Sequence, residues 1–173
     1  HKVVAQVGGR QLPLIDKYGR HMLLTKIMNE VGEELEIYRH MGWKNSFIDL
    51  MNTMISEMKR FGATPEDIGA AAEKIDGDGF LRYKLSDIQK IFTRYEEAIE
   101  GKYLDSEDYI TFYGDKILDA PMIAEADIWI YGFDTFTPKN MQVIERLLMA
   151  ARSVNVVLTY DSGEYFSLTR YIM

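Results

Sequence analysis

The chain has 173 residues, of which 47% are hydrophobic and 12% aromatic, enough to form a packed core. It contains no cysteine, which excludes disulfides, thiolate metal sites and cysteine catalysis. Its net charge of −7 argues against a sequence-independent DNA-binding protein acting alone, because phosphate contacts come from lysine and arginine. The lack of cysteine fits a cytoplasmic protein, which we expect here. No run of about 18 apolar residues predicts a membrane span, and no secretory signal is visible. The chain begins at His1, so we expect a piece of a longer protein or the remnant of a tag.

The first predicted elements are a short strand and a helix. The segment Val3–Val7 favours a strand that enters a turn at Gly8. A helix is predicted from Asp16, and Gly32 weakens or breaks it. Apolar residues recur along it at steps of three and four, which gives one buried face: Leu24, Ile27, Val31, Leu35 and Tyr38.

Two further helices are predicted by their capping patterns. Ser46, followed three residues later by Asp49, has the pattern of a capping box. Thr64 and Pro65 provide a cap and a first-turn proline for the next helix. The helix after Ser46 carries an apolar, methionine-rich stripe that we interpret as core: Phe47, Leu50, Met51, Met54, Met58 and Phe61.

The longest predicted helix follows the stretch DGDGF at 76–80, which we interpret as a tight turn rather than a calcium loop because Phe80 occupies a ligand position. Its apolar residues again step by three and four: Leu81, Leu85, Ile88, Phe92, Tyr95 and Ile99. Asp105 then predicts the cap of another helix. The chain from Asp16 to Ile117 therefore predicts about five helices in a compact unit.

The pattern changes after Pro121. Ile128–Tyr131 is continuously apolar, as is typical of a strand buried on both faces, and Val154–Leu158 is a second such strand. Between them, Thr137 and Pro138 predict the start of a helix. Strand, helix and strand form a βαβ unit with parallel strands. Two parallel strands are too few for an independent sheet, so we expect this unit to belong to a larger α/β domain.

Lys59 and Arg60 are the candidate DNA-contact residues, and two interpretations of them stay open. They lie in the last predicted turn of a helix, where a cation offsets the helix dipole, and they could instead contact phosphates. Trp43 and Trp129 are interpreted as packing residues rather than as base-stacking platforms, more firmly for Trp129 because it lies inside an apolar strand.

Several stretches resemble one protein family in their order and spacing. They are QVGG at 6–9, IDKYGRHMLLTKIM at 15–28, ISEMKRFGATPEDI at 55–68, LSDIQKIFTRYEEAIEGKYLDSEDY at 85–109, IWIYGFDTFTPKNMQVIERLL at 128–148 and VNVVLTYD at 154–161. Together they cover nearly the whole chain and are similar to the AddB subunit of the bacterial ATP-dependent helicase–nuclease of the AddAB (RexAB) type, in its Gram-positive form. The segments GKYLDSEDY and GFDTFTP are the most specific.

The resemblance implies part of a large enzyme that processes double-strand DNA breaks for recombinational repair. In that enzyme the AddA subunit supplies the motor, and the AddB subunit joins a helicase-like N-terminal half to a nuclease domain that holds an iron–sulfur cluster. ATP with Mg²⁺ and the cluster are implied for the parent protein, and no cofactor for these residues. The implied partners are the AddA subunit together with single- and double-stranded DNA, with no membrane.

The implied fold class is α/β and predominantly helical. Residues 1–14 would form an N-terminal strand and turn of a RecA-like part, residues 15–120 a helical subdomain like a 1B insertion, and residues 121–173 a partial RecA-like α/β unit. The resemblance thus agrees with the five helices and the βαβ unit expected from the residue patterns.

The end of the first apolar strand is the candidate nucleotide site. In working helicases the corresponding strand ends in an Asp-Glu pair that holds magnesium, whereas here Tyr131 and Gly132 occupy those positions. A phenol is neutral at pH 7 and cannot replace a magnesium carboxylate. Asp134 could reach back, although a turn or cap is the commoner role of Asp there. No G-x-x-x-x-G-K-[ST] loop occurs, so we predict no catalytic, cofactor or metal residue and no ATP hydrolysis by this chain.

Two hypotheses follow. The first is a non-catalytic part of a helicase–nuclease that provides scaffold, DNA-channel walls and contacts between subunits. The second is a freestanding helical adaptor domain without a DNA role. Under the first, the parent protein is a hydrolase although this piece is inactive, and exposed apolar strand surface could make the piece dimerise.

Overall fold

The structure, a computed structural model, describes residues 3, 7, 8, 12–77, 79–133 and 135–158. It divides into two compact units: Arg10–Tyr109 forms one, and the chain from Ile110 onward belongs to the other. The helical subdomain was predicted to end at residue 120. The division lies instead between Tyr109 and Ile110, inside the helix Ser106–Ile117. Among the described residues no helix combines the length and the apolar character that a membrane span requires.

Helices form the first unit. The described elements are α1 (Lys17–Val31), a short 3₁₀ helix (Gly32–Glu34), α2 (Asn45–Arg60), α3 (Pro65–Glu73), α4 (Gly79–Ile99) and the first part of α5 (Ser106–Ile117). The predicted break at Gly32 is confirmed, because α1 tightens there into the 3₁₀ turn. The expected mostly helical α/β character is thus confirmed, while the comparison with a 1B insertion stays a prediction.

Most helix starts match the predicted caps. The Asp16 carboxylate accepts the Gly19 N–H at 2.7 Å, and Thr64 forms a reciprocal capping box with Asp67. The predicted cap at Ser46 is wrong. Helix α2 begins two residues earlier than that cap implies, with Lys44 rather than Ser46 in the cap position, and no side chain caps it.

The core of the first unit lies between α1, α2 and α4. It is built from apolar side chains of these helices and of the segment after α1, with fully buried members that include Leu24, Leu35, Ile48, Met51, Ile91, Phe92 and Tyr95. Met54 and Met58 pack against this core, which confirms the interpretation of the methionine stripe. Leu50 and Phe61, also assigned to that stripe, are exposed instead.

The second unit contains the βαβ motif. After the end of α5 come a one-turn helix α6 (Pro121–Ala124), strand β1 (Asp127–Ile130), helix α7 (Pro138–Ala150) and strand β2 (Ser153–Val156). The two strands pair in parallel, with Asp127 opposite Ser153 and Ile130 opposite Val156, which confirms the predicted topology. The Asp115 carboxylate of α5 pairs with Arg146 of α7 at 2.6 Å and joins these helices.

Two strand predictions need correction. Trp129 was expected in a strand buried on both faces, but its side chain is 64% exposed. The reason is that only one face of β1 is covered within the described residues: Ile128 and Ile130 are half-buried there, while Asp127 and Trp129 lie on the exposed face. The predicted strand Val3–Val7 lies mostly outside the described residues, and Val3 and Val7 themselves have helical backbone.

Candidate functional site

The end of β1 is the first candidate site, because ligands of open α/β sheets bind at the carboxyl ends of the strands. The chain leaves β1 through Tyr131, which is exposed, and turns at Gly132, whose φ of +77° favours glycine. The rings of Phe133 and Phe136 then stack with centroids 5.5 Å apart. The predicted helix start follows, since the Thr137 hydroxyl accepts the Asn140 N–H at 3.3 Å. Asp134 lies outside the described residues.

A cavity of about 280 Å³ opens beside this strand end. Its walls are almost wholly apolar: Ile110, Trp129, Ile130, Tyr131, Phe133, Asn140, Val143, Ile144 and Leu147. A phosphate chain needs N–H donors and cations, and none of these side chains is charged. Within the described residues there is also no cluster of three or more His, Asp or Glu side chains that could hold a metal ion. The local chemistry therefore suits an apolar group rather than a nucleotide.

A buried ion cluster in the first unit is the second candidate site. Lys59, in the last turn of α2, is only 5% exposed, and its ammonium lies 2.7 Å from each of three carboxylates. Glu96 comes from α4, Asp105 precedes α5 and Asp108 lies in its first turn. Burial acts to lower the pKa of Lys59, but the carboxylates, with Asp105 foremost, outweigh burial and raise it. The ammonium therefore stays charged and ties three helices together.

Asp105 connects this cluster to the start of α5. One carboxylate oxygen accepts the N–H groups of Glu107 and Asp108 at 3.0 and 2.9 Å, which confirms the predicted cap. The other oxygen lies against Lys59 and accepts the Tyr95 hydroxyl at 3.3 Å. Burial would raise the pKa of Asp105, yet the charge and hydrogen bond of Lys59, together with the hydrogen bond from the Asp108 N–H, lower it. Burial raises the pKa of Glu96, and this effect exceeds the opposing one of Lys59.

The two predicted DNA-contact residues therefore lie in different surroundings. Lys59 could meet a phosphate only by giving up three carboxylates, so this geometry argues against a DNA contact there. Arg60 is about half exposed and pairs with Glu57 of its own helix at 2.9 Å, a weak surface pair. A DNA contact by Arg60 stays a prediction.

A second buried carboxylate, not singled out by the sequence patterns, holds the loop after α1. Asp87 of α4 is fully buried and accepts three consecutive backbone N–H groups, those of Glu36, Ile37 and Tyr38, at 3.0, 2.7 and 3.0 Å. A signal was present, because Asp87 stands four residues before Ile91 on the apolar side of α4. An acid on such a face requires buried partners.

The loop that Asp87 holds, Glu36–Lys44, presents an exposed tryptophan. Trp43 is 76% exposed, so its interpretation as a packing residue is wrong. The Lys44 ammonium lies over its ring, 5.3 Å from the centroid. The missed feature is thus a hydrogen-bonded loop that presents an aromatic ring and a cation at its end, directly before α2.

Comparison with known proteins agrees with the resemblance found in the sequence. A family profile described as "ADDB, N-terminal" matches residues 1–170 of the chain. The B subunit of the ATP-dependent helicase/deoxyribonuclease of Thermoanaerobacter sp. (strain X514) is 36% identical over 164 residues, which are 95% of this chain and 14% of that protein.

Two other relatives carry the same name. The protein of Alkaliphilus metalliredigens (strain QYMF) is 32% identical over 161 residues, and that of Bacillus cereus (strain AH187) is 32% identical over 166. The two alignments cover 93% and 92% of this chain, and the chain spans 14% of the length of each relative. Because the profile covers nearly all 173 residues, the chain belongs to the AddB N-terminal family.

Proposed function

We propose that this chain is a non-catalytic part of the AddB subunit of an ATP-dependent helicase/deoxyribonuclease. In this role it supplies scaffold and contact surface, while nucleotide hydrolysis and DNA cleavage take place elsewhere in the enzyme. The whole enzyme would process double-strand DNA breaks in the cytoplasm, with the AddA subunit plus DNA as partners. The names of the relatives support the enzyme class, and the geometry of this chain supports the non-catalytic role.

The observation that carries the proposal is the end of β1. Magnesium–nucleotide chemistry needs a carboxylate where the strand ends, because the metal neutralises charge on the phosphates and is itself held by acids. At that point the chain presents the neutral phenol of Tyr131, a glycine turn and two stacked phenylalanines. The adjacent apolar cavity offers no donor array for phosphates. The parallel βαβ unit keeps a strand-to-helix turn at this point, and the side chains around the turn are mostly apolar.

The buried ion cluster supports the scaffold role. Lys59 joins the end of α2, the middle of α4 and the start of α5 through three short ion pairs. Such a cluster stabilises one relative arrangement of helices, because moving any of them would leave a buried charge unpaired. A rigid helical unit is what a contact between subunits or a channel wall requires.

The test uses the complete AddB protein in complex with its AddA partner. Tyr131→Ala should leave the rates of ATP-dependent DNA unwinding and degradation within about twofold, which corresponds to less than about 0.5 kcal/mol in transition-state free energy. Lys59→Met should lower the yield of the assembled enzyme, because it disrupts the helical unit.

A matched control is Arg60→Met, which removes the neighbouring exposed cation and should assemble normally. A tenfold or greater loss of ATP hydrolysis in Tyr131→Ala, with assembly unchanged, would place catalytic chemistry at the strand end and refute the non-catalytic role. A parent protein with no ATP-dependent action on DNA would refute the enzyme class.

A further inference from the structure

We propose that the loop Glu36–Lys44 binds single-stranded nucleic acid, with the Trp43 ring as the surface on which a base stacks. The inference deepens the proposed function and rests on its DNA role, and it names a surface that family membership does not assign. The Trp43 ring leaves most of its apolar area in water, so covering that area by a partner lowers the free energy.

The loop is fixed before any ligand arrives. Three of its N–H groups end on the buried Asp87 carboxylate, and the Tyr38 ring packs against Phe47 with centroids 4.9 Å apart. Two short turns follow, closed by the Met41 and Lys44 N–H groups on the carbonyls of Tyr38 and Met41, each at 3.0 Å. A partner that binds a fixed loop does not bear the entropy cost of ordering it.

Close packing holds the backbone next to the tryptophan. A Cβ added to Gly42 would lie 3.1 Å from the Met28 Cβ, so the loop lies tightly against the end of α1 at that point. Trp43 follows directly and is nevertheless 76% exposed. The ring is thus presented to solvent from closely packed backbone, as a stacking platform requires.

The charges around the ring favour nucleic acid over an apolar protein partner. Lys44 lies over one side of the Trp43 ring, and Arg39 stands four residues earlier in the same loop. Lys90 of α4 reaches the base of the loop, where its ammonium donates to the Glu34 carbonyl at 2.7 Å. Acids are also present, since Glu36 is exposed and Arg39 pairs with Glu33 at 3.8 Å. In a chain of net charge −7, an exposed aromatic ring with the Lys44 ammonium over it matches a base and a flanking phosphate.

The chain allows a direct readout, because its two tryptophans lie in different units. In the variant Trp129→Phe, all tryptophan fluorescence comes from Trp43. Titration with oligo(dT) should quench this fluorescence, and added salt should restore it by releasing the oligonucleotide. In Trp43→Phe, the emission of Trp129 should not change. Absence of quenching in Trp129→Phe at low salt overturns the proposal.

Affinity is measured separately by the anisotropy of a fluorescein-labelled oligo(dT). Trp43→Ala should weaken binding at least about fivefold, and Trp43→Phe by less, because a base can still stack on the phenyl ring. Lys44→Ala should reduce the slope of log K against log[salt] by about 0.7 in magnitude, which is the value for one phosphate contact to a single strand. The matched control Trp129→Ala removes the other exposed tryptophan and should stay within about twofold. Equal affinities of Trp43→Ala and the unmodified chain overturn the proposal.

Failure of this proposal and failure of the proposed function give different results. If Trp43→Ala leaves DNA binding unchanged but weakens assembly with the AddA partner, the loop is a protein contact and the nucleic-acid proposal is wrong. If the assembled enzyme with unmodified Trp43 shows no ATP-dependent action on DNA, the proposed function fails, whatever the tryptophan titration shows.

Discussion

Among single residues, Lys59 supplies the cation of the buried ion cluster in the first unit. Its ammonium balances carboxylates from α4 and α5 that would otherwise repel one another at short range. Such an arrangement gains stability only while every member is present, because the desolvation of each charge is offset by its partners. Lys59 is therefore a structural residue in a position where the sequence pattern alone had indicated either a helix-end cation or a DNA contact.

Replacement of Lys59 tests this role. Lys59→Met leaves Asp105 buried without its cation, and we expect a loss of about 3–5 kcal/mol in the free energy of unfolding. Urea denaturation followed by circular dichroism measures it. Arg60→Met is the control, with an expected change below about 1 kcal/mol because its pair with Glu57 is exposed. Similar losses in the two variants would contradict the account.

The pH dependence of stability should show the same cluster. Burial, followed by the charge of Asp105, raises the pKa of Tyr95 above its ordinary value of 10.0, and the carboxylates raise that of Lys59 above 10.5. Both groups hold their protons more tightly in the folded state than in the unfolded state. Their stabilisation is therefore complete below about pH 10 and is lost as the pH rises through the folded pKa values.

Tyr95→Phe removes one of these two contributions. The free energy of unfolding should fall less steeply above pH 10 in this variant than in the unmodified chain, as measured by urea denaturation at successive pH values. Tyr18→Phe, which changes an exposed tyrosine of α1, should keep the original slope. A slope in Tyr95→Phe equal to that of the unmodified chain would show that Tyr95 does not contribute.

Among the helices and strands, those defined by nearby residues were predictable. The caps at Asp16, Thr64 and Asp105 each depend on hydrogen bonds within three residues, so the local pattern contained the information. The partners of Lys59 were not predictable, because they lie 37–49 residues away and only the folded arrangement of α2, α4 and α5 brings them together. The exposure of Trp43 and Trp129 also depends on which elements pack nearby, and this is not a property of their own segments.

The capping hydrogen bonds give a prediction about helix α3. Thr64→Ala removes the side-chain acceptor for the Asp67 N–H and should cost about 1 kcal/mol in the free energy of unfolding. Ser46→Ala is a matched control, because Ser46 lies inside α2 and no side chain caps that helix. Chemical denaturation of both variants provides the comparison. A larger loss for Ser46→Ala than for Thr64→Ala would reverse the assignment of the caps.

At the scale of the whole molecule, the two units differ in their buried parts, while both expose large apolar side chains. The helical unit has its own core and its own buried ion cluster. The second unit has a two-stranded sheet and exposed apolar side chains that include Trp129, Leu148 and Met149. Apolar surface of this kind is typical of an interface, which is consistent with a chain that spans 14% of the length of its relatives. Self-association of this chain through that surface stays a prediction.

We infer that the end of β1 does not perform nucleotide chemistry. Phosphate release from ATP by the purified chain, with Mg²⁺ and single-stranded DNA present, tests this inference together with calorimetric titration of ATP under the same conditions. Release should equal the buffer blank and no heat of binding should appear, because none of the described side chains that line the cavity beside Tyr131 is charged. Release above the blank that requires both Mg²⁺ and DNA would contradict it.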